Sequence, residues 1–162
     1  MTALATIGVY GFGADTFLAT LRHARVPLVI DVRQRRGVRG REYAWANSAR
    51  LQAALSEEEI AYQHRRDLAP TTELRELQYR EDDRRGVGKR SRTELAPEYR
   101  QRYLREILDR ADLAALAAGL PEAGRAALLC VERDPEACHR SLIADRLGSE
   151  HRVRIRHLRP PD

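Results

Sequence analysis

The chain is poor in several residue types. Lys89 is its only lysine, so 28 of its 29 Lys and Arg residues are arginine. It has one methionine, one tryptophan, two phenylalanines and two cysteines. Two cysteines in a chain of this size exclude a disulfide scaffold and suit a reducing compartment. No apolar run reaches the roughly 18 residues of a membrane-spanning helix, which excludes a helical membrane protein. The opening Met1-Thr-Ala-Leu-Ala-Thr-Ile lacks the basic start of a signal peptide, so a cytoplasmic protein without a membrane partner is expected. There is no internal repeat, no low-complexity tract and no linker.

The 162 residues suit one domain, and 43% apolar content is enough for a hydrophobic core. Charged residues reach 33%, with a formal net charge of +5. The arginine bias fits a GC-rich genome, so position carries more information than number. Arg33, Arg35, Arg36, Arg39 and Arg41 fall together with no acid among them. A second basic stretch holds Arg84, Arg85, Lys89, Arg90 and Arg92, and a third holds Arg152, Arg154, Arg156 and Arg159. Such stretches are either solvated, salt-bridged surface or an anion-binding face.

Apolar patterning predicts strands at 6–11, 27–32, 60–64, 126–132 and 151–158. Between them, helices are expected from Asp15 or Thr16 to Ala24, from Asn47 or Ser48 to Glu58, and from Thr71 or Thr72 to Asp83. Further helices are expected from Pro97 onward, with 111–120 as its continuation or a separate short helix, and from Asp134-Pro135 to Leu147, closed by Gly148. Alternating strands and helices predict a single Rossmann-like α/β domain over 1–162. It would have three layers, with a mainly parallel sheet of about five strands covered by helices on both faces. Ligands of such sheets bind beyond the C-terminal strand ends, so those ends hold the candidate site.

After the first strand, Gly11 and Gly13 permit a tight turn and close backbone approach to a ligand. The lysine of a phosphate loop is missing, and no acid follows the second strand where a dinucleotide's ribose would need one. The second strand ends in Asp31-Val-Arg33, which places the acid and the arginine on one side of the strand. A fixed arginine fork suits a phosphate or carboxylate. His64 ends the third strand, as a base, a ligand contact or a loop residue.

The fourth strand end is the most informative. Cys130 and Glu132 share a strand face, and Cys138, His139 and Arg140 open the next helix, where free amides and the helix dipole favour an anion or a thiolate. Three readings of the cysteines compete. In the first, Cys138 is a nucleophile activated by the helix end, or His139 serves Cys130. Adjacent helical residues point about 100° apart, so Cys138 and His139 are not expected to bond each other. In the second, Cys130, Cys138 and His139 hold a metal. The spacing is far too short for the zinc-deaminase signature it faintly echoes, so neither metal nor other cofactor is expected. In the third, both cysteines are small core residues. A redox pair would need their Cα atoms within about 7 Å.

The string Cys130-x-Glu132-x-x-Pro135-x-x-Cys138-His139-Arg140-x-Leu-Ile-Ala resembles the hallmark of the prokaryotic "domain of unknown function 488" family. Thr6-Ile-Gly8 before a capped helix is similar to that family's opening, and Asp31-Val-Arg33 to its Asp-Val-Arg. Three segments depart from the pattern: Val9-Tyr10 stands where His-Ser is usual, Gln34-Arg-Arg-Gly37 where prolines and serines are common, and Leu68-Ala-Pro70-Thr71 where Gly-Gly is often found. The resemblance implies an α/β fold and a cytoplasmic prokaryotic protein, and it supplies no activity. It also implies that Asp31, Arg33, Glu132, Cys138, His139 and Arg140 converge.

The expected function is therefore that of an enzyme with a polar, anion-accepting cleft, acting on a phosphorylated small molecule, a nucleotide or a nucleic-acid end. Arg33 and Arg140 would hold the anion, Glu132 or His139 would act as acid/base, and Cys138 as nucleophile. The alternative is a non-catalytic nucleic-acid-binding module built on the 33–41 and 84–92 loops. Its contacts would be Arg35, Arg36, Arg39 and Arg41, with Tyr43 and Trp45 for base stacking.

Overall fold

Five strands, β1 (Ala3–Gly8), β2 (Leu28–Asp31), β3 (Ala61–His64), β4 (Ala126–Cys130) and β5 (Arg154–Leu158), form one all-parallel sheet in the order β3-β2-β4-β1-β5. They belong to a computed structural model that describes residues 2–161. The central β4 is aliphatic and buried along its whole length, whereas the edge strands β3 and β5 alternate between more and less exposed residues. That contrast is expected between a strand covered on both faces and one at a rim.

Among the described residues, six α-helices surround the sheet: α1 (Ala14–His23), α2 (Ser48–Glu57), α3 (Thr72–Arg85), α4 (Pro97–Glu106), α5 (Leu113–Ala118) and α6 (His139–His151). α1 and α2 share one face, where Phe17 meets Trp45 at 4.9 Å between ring centroids. On the other face α4 contacts α3 and α6, and α5 contacts α6. The connections β1–α1–β2 and β2–α2–β3 move toward the β3 edge, and those into and out of β4 move back toward β5. Right-handed crossovers place these two sets of helices on opposite faces. The expected three-layer α/β domain is therefore present. Among the described residues, no helix is long and apolar enough to cross a membrane.

Several boundaries differ from the sequence expectation, each for a local reason. β1 ends at Gly8, and Gly11, at φ +93°, turns the chain out of the sheet. Gly13, and neither Asp15 nor Thr16, occupies the N-cap of α1, while the Thr16 hydroxyl accepts from the Gly13 amide at 3.0 Å. Asn47 precedes α2 without capping it by its side chain, because its Oδ1 accepts from the Val38 amide at 2.7 Å. Thr71 does cap α3, accepting from the Leu74 amide at 3.1 Å. The helix expected from Asp134 is divided: a 3-10 turn covers Pro135–Ala137 and α6 begins at His139. α6 then runs through Gly148 to a left-handed cap at Arg152.

Gly8 has a packing reason to be glycine. A β-carbon there would collide with the Glu132 carbonyl and would lie 3.1 Å from Arg140 Nη1. The absent side chain lets β1 approach the segment that follows β4, where the site lies.

Candidate functional site

A cleft of about 730 Å³ opens beyond the C-terminal ends of β2 and β4. These neighbouring strands lead away in opposite directions, which leaves the crevice where open α/β sheets bind ligands. Residues 33–39 form one wall, 88–92 the rim, and the segments 130–132 and 137–139 the floor, with Tyr99 behind.

Asp31 and Arg33 form a fixed fork at the end of β2. Arg33 donates to Asp31 from Nε at 2.9 Å and from Nη2 at 2.8 Å, and from Nη1 to the Ala46 carbonyl at 3.0 Å. Tyr62 donates its hydroxyl to the same carboxylate at 2.6 Å. Burial works against the Arg33 charge, but Asp31 outweighs it and keeps the guanidinium ionised. Both side chains are almost wholly buried, at 1% and 0% exposure. Each of the three guanidinium nitrogens already has an internal partner, so Arg33 braces the cleft wall.

Arg140 is equally engaged. It donates to the Glu132 carbonyl at 2.7 Å, the Arg133 carbonyl at 3.2 Å and Thr6 Oγ1 at 3.3 Å. It is fully buried and lies behind the cleft floor. Glu132 is held by Arg92, whose Nη2 donates to Oε1 at 2.7 Å. Arg92 also donates to Asp82 at 2.6 Å and to the Ala137 carbonyl at 3.2 Å. A buried arginine flanked by two carboxylates thus ties the 88–92 segment to α3 and to the end of β4.

Cys130, Cys138 and His139 meet on the floor. His139 Nδ1 is 3.8 Å from Cys130 Sγ and 3.7 Å from Cys138 Sγ, and Cys130 Sγ is 3.5 Å from Glu132 Oε2. One potential ligand atom from each of the three lies within 4.8 Å of the others. The expectation that Cys138 and His139 do not bond each other is overturned. Cys138 is not helical: it is the extended N-cap of α6, at φ −140° and ψ 146°, so the helical angle between neighbours does not apply. The His139 tautomer is fixed from behind, because Nε2 lies 2.8 Å from the Val32 carbonyl, which can only accept. Nδ1 is thereby the nitrogen that faces the two sulfurs.

Burial opposes a charged Cys138, but the Cys130 thiol, His139 and Arg140 outweigh it and hold Cys138 well below the ordinary thiol value. Burial pushes Cys130 well up, reinforced by Cys138 and Glu132. Burial also opposes a charged His139, yet Cys138, the Val32 carbonyl and Glu132 raise it above the ordinary histidine value.

The cleft carries seven basic side chains against one acid, Glu132. Arg33, Arg90 and Arg92 are paired with Asp31, Glu42 and Asp82 or Glu132. Among the described residues Arg35, Arg39, Arg75 and Lys89 line the cleft without an ion pair. Burial works against the Lys89 ammonium, but Glu132, Tyr79, Cys130 and Tyr10 outweigh it, and Lys89 titrates above the ordinary lysine value.

Of the residues singled out in the sequence, Arg33, Arg35, Arg39, Cys130, Glu132, Cys138 and His139 line the cleft, as do Lys89, Arg90 and Arg92 of the second basic stretch. The other candidate contacts do not. His64 Nε2 contacts the Arg33 carbonyl at 2.8 Å, and Arg36 donates to Tyr62 at 3.3 Å. Gly11 donates its amide to the Tyr43 hydroxyl at 3.1 Å, Gly13 starts α1, and Arg41 is exposed. Trp45 packs on Phe17 on the α1–α2 face. Sequence reasoning missed the roles of Arg92, Asp82 and Lys89. Lys89 and Arg92 stood out in sequence only as members of the second basic stretch, and nothing in the residue types separates the unpaired lysine from the paired arginine.

No curated protein and no solved structure matches the chain. The family model described as "Domain of unknown function DUF488" matches residues 13–147, most of the chain and all of β2 to β4, and the chain belongs to that family.

Proposed function

We propose that the chain is an enzyme whose cleft receives a substrate by its anionic group: a phosphorylated small molecule, a nucleotide or a nucleic-acid end. The carrying observation is the charge of the lining, where four cations without ion-pair partners surround a floor made of Cys138, His139 and Glu132. A cleft of one sign with low-dielectric walls concentrates ligands of the opposite sign. In this reading Lys89, Arg35 and Arg39 hold the anion, Arg33 and Arg140 keep the walls in place, and the chemistry belongs to the floor.

Thermal denaturation at matched ionic strength tests the reading, with inorganic phosphate, nucleotides, sugar phosphates and a short single-stranded oligonucleotide. A ligand at about 100 times its Kd stabilises a native protein by about 2.7 kcal/mol. The expected result is a stabilising small anion whose effect is lost in Lys89→Ala, with the unliganded melting temperature unchanged. No shift from any small anion would overturn it.

One observation favours a second reading. Arg90 donates to the Arg39 carbonyl at 2.9 Å and pairs with Glu42 at 2.9 Å, so the two basic loops form one continuous rim. Its guanidinium also lies over Tyr10 and Tyr43, at 5.3 and 5.1 Å from the ring centroids. A nucleic-acid-binding rim predicts stabilisation by the oligonucleotide alone, falling steeply with salt.

A further inference from the structure

We propose that Cys130, Cys138 and His139 bind a divalent metal ion of the zinc class, with the fourth coordination position open to the cleft. Zinc bonds of about 2.3 Å to sulfur and about 2.1 Å to nitrogen, at tetrahedral angles, place sulfur and nitrogen about 3.6 Å apart. The observed separations are 3.8 and 3.7 Å, so each sulfur already stands close to coordination spacing from the imidazole nitrogen, and all three donor atoms lie within 4.8 Å of one another.

The surroundings supply what a metal site needs. A ligating histidine almost always donates its other ring nitrogen to a carbonyl or carboxylate, which fixes the ring and its tautomer. His139 does this through Nε2 to Val32 at 2.8 Å. The donors also come from rigid elements, one at the end of β4 and two at the start of α6. Two thiolates and an imidazole select a borderline-soft ion over magnesium or calcium.

Binding converts both cysteines to thiolates, and any thiol proton leaves to solvent as the metal–sulfur bond forms. Three protein ligands with an exchangeable fourth position are the arrangement of catalytic zinc. Here that position faces the cationic cleft, with the Glu132 carboxylate beside Cys130 at 3.5 Å and held by Arg92. A phosphate or carboxylate oxygen drawn in by Lys89 could take the open position. That use rests on the anion-cleft reading, but binding of the ion does not.

Cobalt(II) titration of the chelator-treated full-length protein tests the site without any substrate. The chain has only two cysteines, so thiolate-to-cobalt charge-transfer absorption can arise only from Cys130 and Cys138. The expected result is such absorption at one equivalent of cobalt, bleached when zinc displaces it. It should weaken in Cys130→Ser and Cys138→Ser. Replacing His139 with Gln should weaken zinc binding by at least the about 10–100-fold that loss of a supporting partner costs. Wild-type protein that gives no charge-transfer absorption overturns the proposal, and this arm requires no variant to fold. Survival of phosphate stabilisation in the same chelated protein would then leave the cleft reading standing and remove the metal alone.

Discussion

Arg33 grips Asp31, two residues earlier on β2, through two parallel hydrogen bonds of 2.9 and 2.8 Å in a nearly water-free wall. Removing one partner of such a pair leaves a buried charge without compensation, at a cost of about 3–5 kcal/mol. Arg33→Ala and Asp31→Ala should therefore shift the urea midpoint strongly. An Arg33→Ala protein with wild-type stability and weakened anion binding would show that Arg33 is a ligand contact and not a brace.

Gly8→Ala places a methyl group against the Glu132 carbonyl, which is backbone and cannot swing aside. Overpacking of this kind costs about 1–3 kcal/mol. The strain would fall on the end of β4, because Gly8 is the register partner of Cys130. Cobalt charge-transfer absorption should weaken along with thermal stability; a variant with both unchanged would contradict the close approach described here.

Tyr103→Phe isolates a single buried hydrogen bond. The hydroxyl donates to the Leu68 carbonyl at 2.6 Å, and the ring stacks on Tyr99 at 6.2 Å. The stack survives the substitution, but the carbonyl is left without that partner, so a loss of about 1–3 kcal/mol is expected. Equilibrium unfolding of the two proteins measures it directly.

His157 sets a pH dependence. Its Nδ1 lies 2.7 Å from Thr6 Oγ1, which also accepts from Arg140 Nε at 3.3 Å. Thr6 Oγ1 can still give its own proton to His157 Nδ1 when that ring is neutral. Burial and then Arg140 hold this histidine below its ordinary value, with Arg159 adding to them and Glu136 and Asp145 opposing. A group depressed in the fold binds protons more readily when unfolded. Its contribution is complete above its ordinary value and is lost as pH falls through that value toward the folded one. Urea midpoints of wild type should fall more steeply below neutrality than those of His157→Asn; parallel curves would refute this.

The fold class was legible because aliphatic runs alternate with capped helical stretches, and the strand-end rule then led to residues 31–33 and 130–139. The free or engaged state of a cation was not legible. Arg33 and Arg140 look like anion ligands in sequence, yet their partners include backbone carbonyls at Ala46, Glu132 and Arg133, which leave no trace in residue types. The Arg92–Glu132 pair spans 40 positions and depends on how a polar loop folds back. The Cys138–His139 contact was obscured by treating a helix cap as helix. Trp45 could be judged only once the face of the sheet it covers was known.

The three sulfur and nitrogen donors on the floor come from one short stretch of chain, residues 130–139, while the lining cations without ion-pair partners come from 35–39 and 75–89. Under the proposed function, reactivity and selectivity are encoded in separate segments. Arg35, Arg39 and Lys89 form no ion pair with the strand-to-helix joint and can be recharged without removing one, whereas Arg92 holds Glu132 and the Ala137 carbonyl and ties the 88–92 loop to that joint. A library randomised at Arg35, Arg39 and Lys89 would alter what enters the cleft while leaving its reactive floor intact.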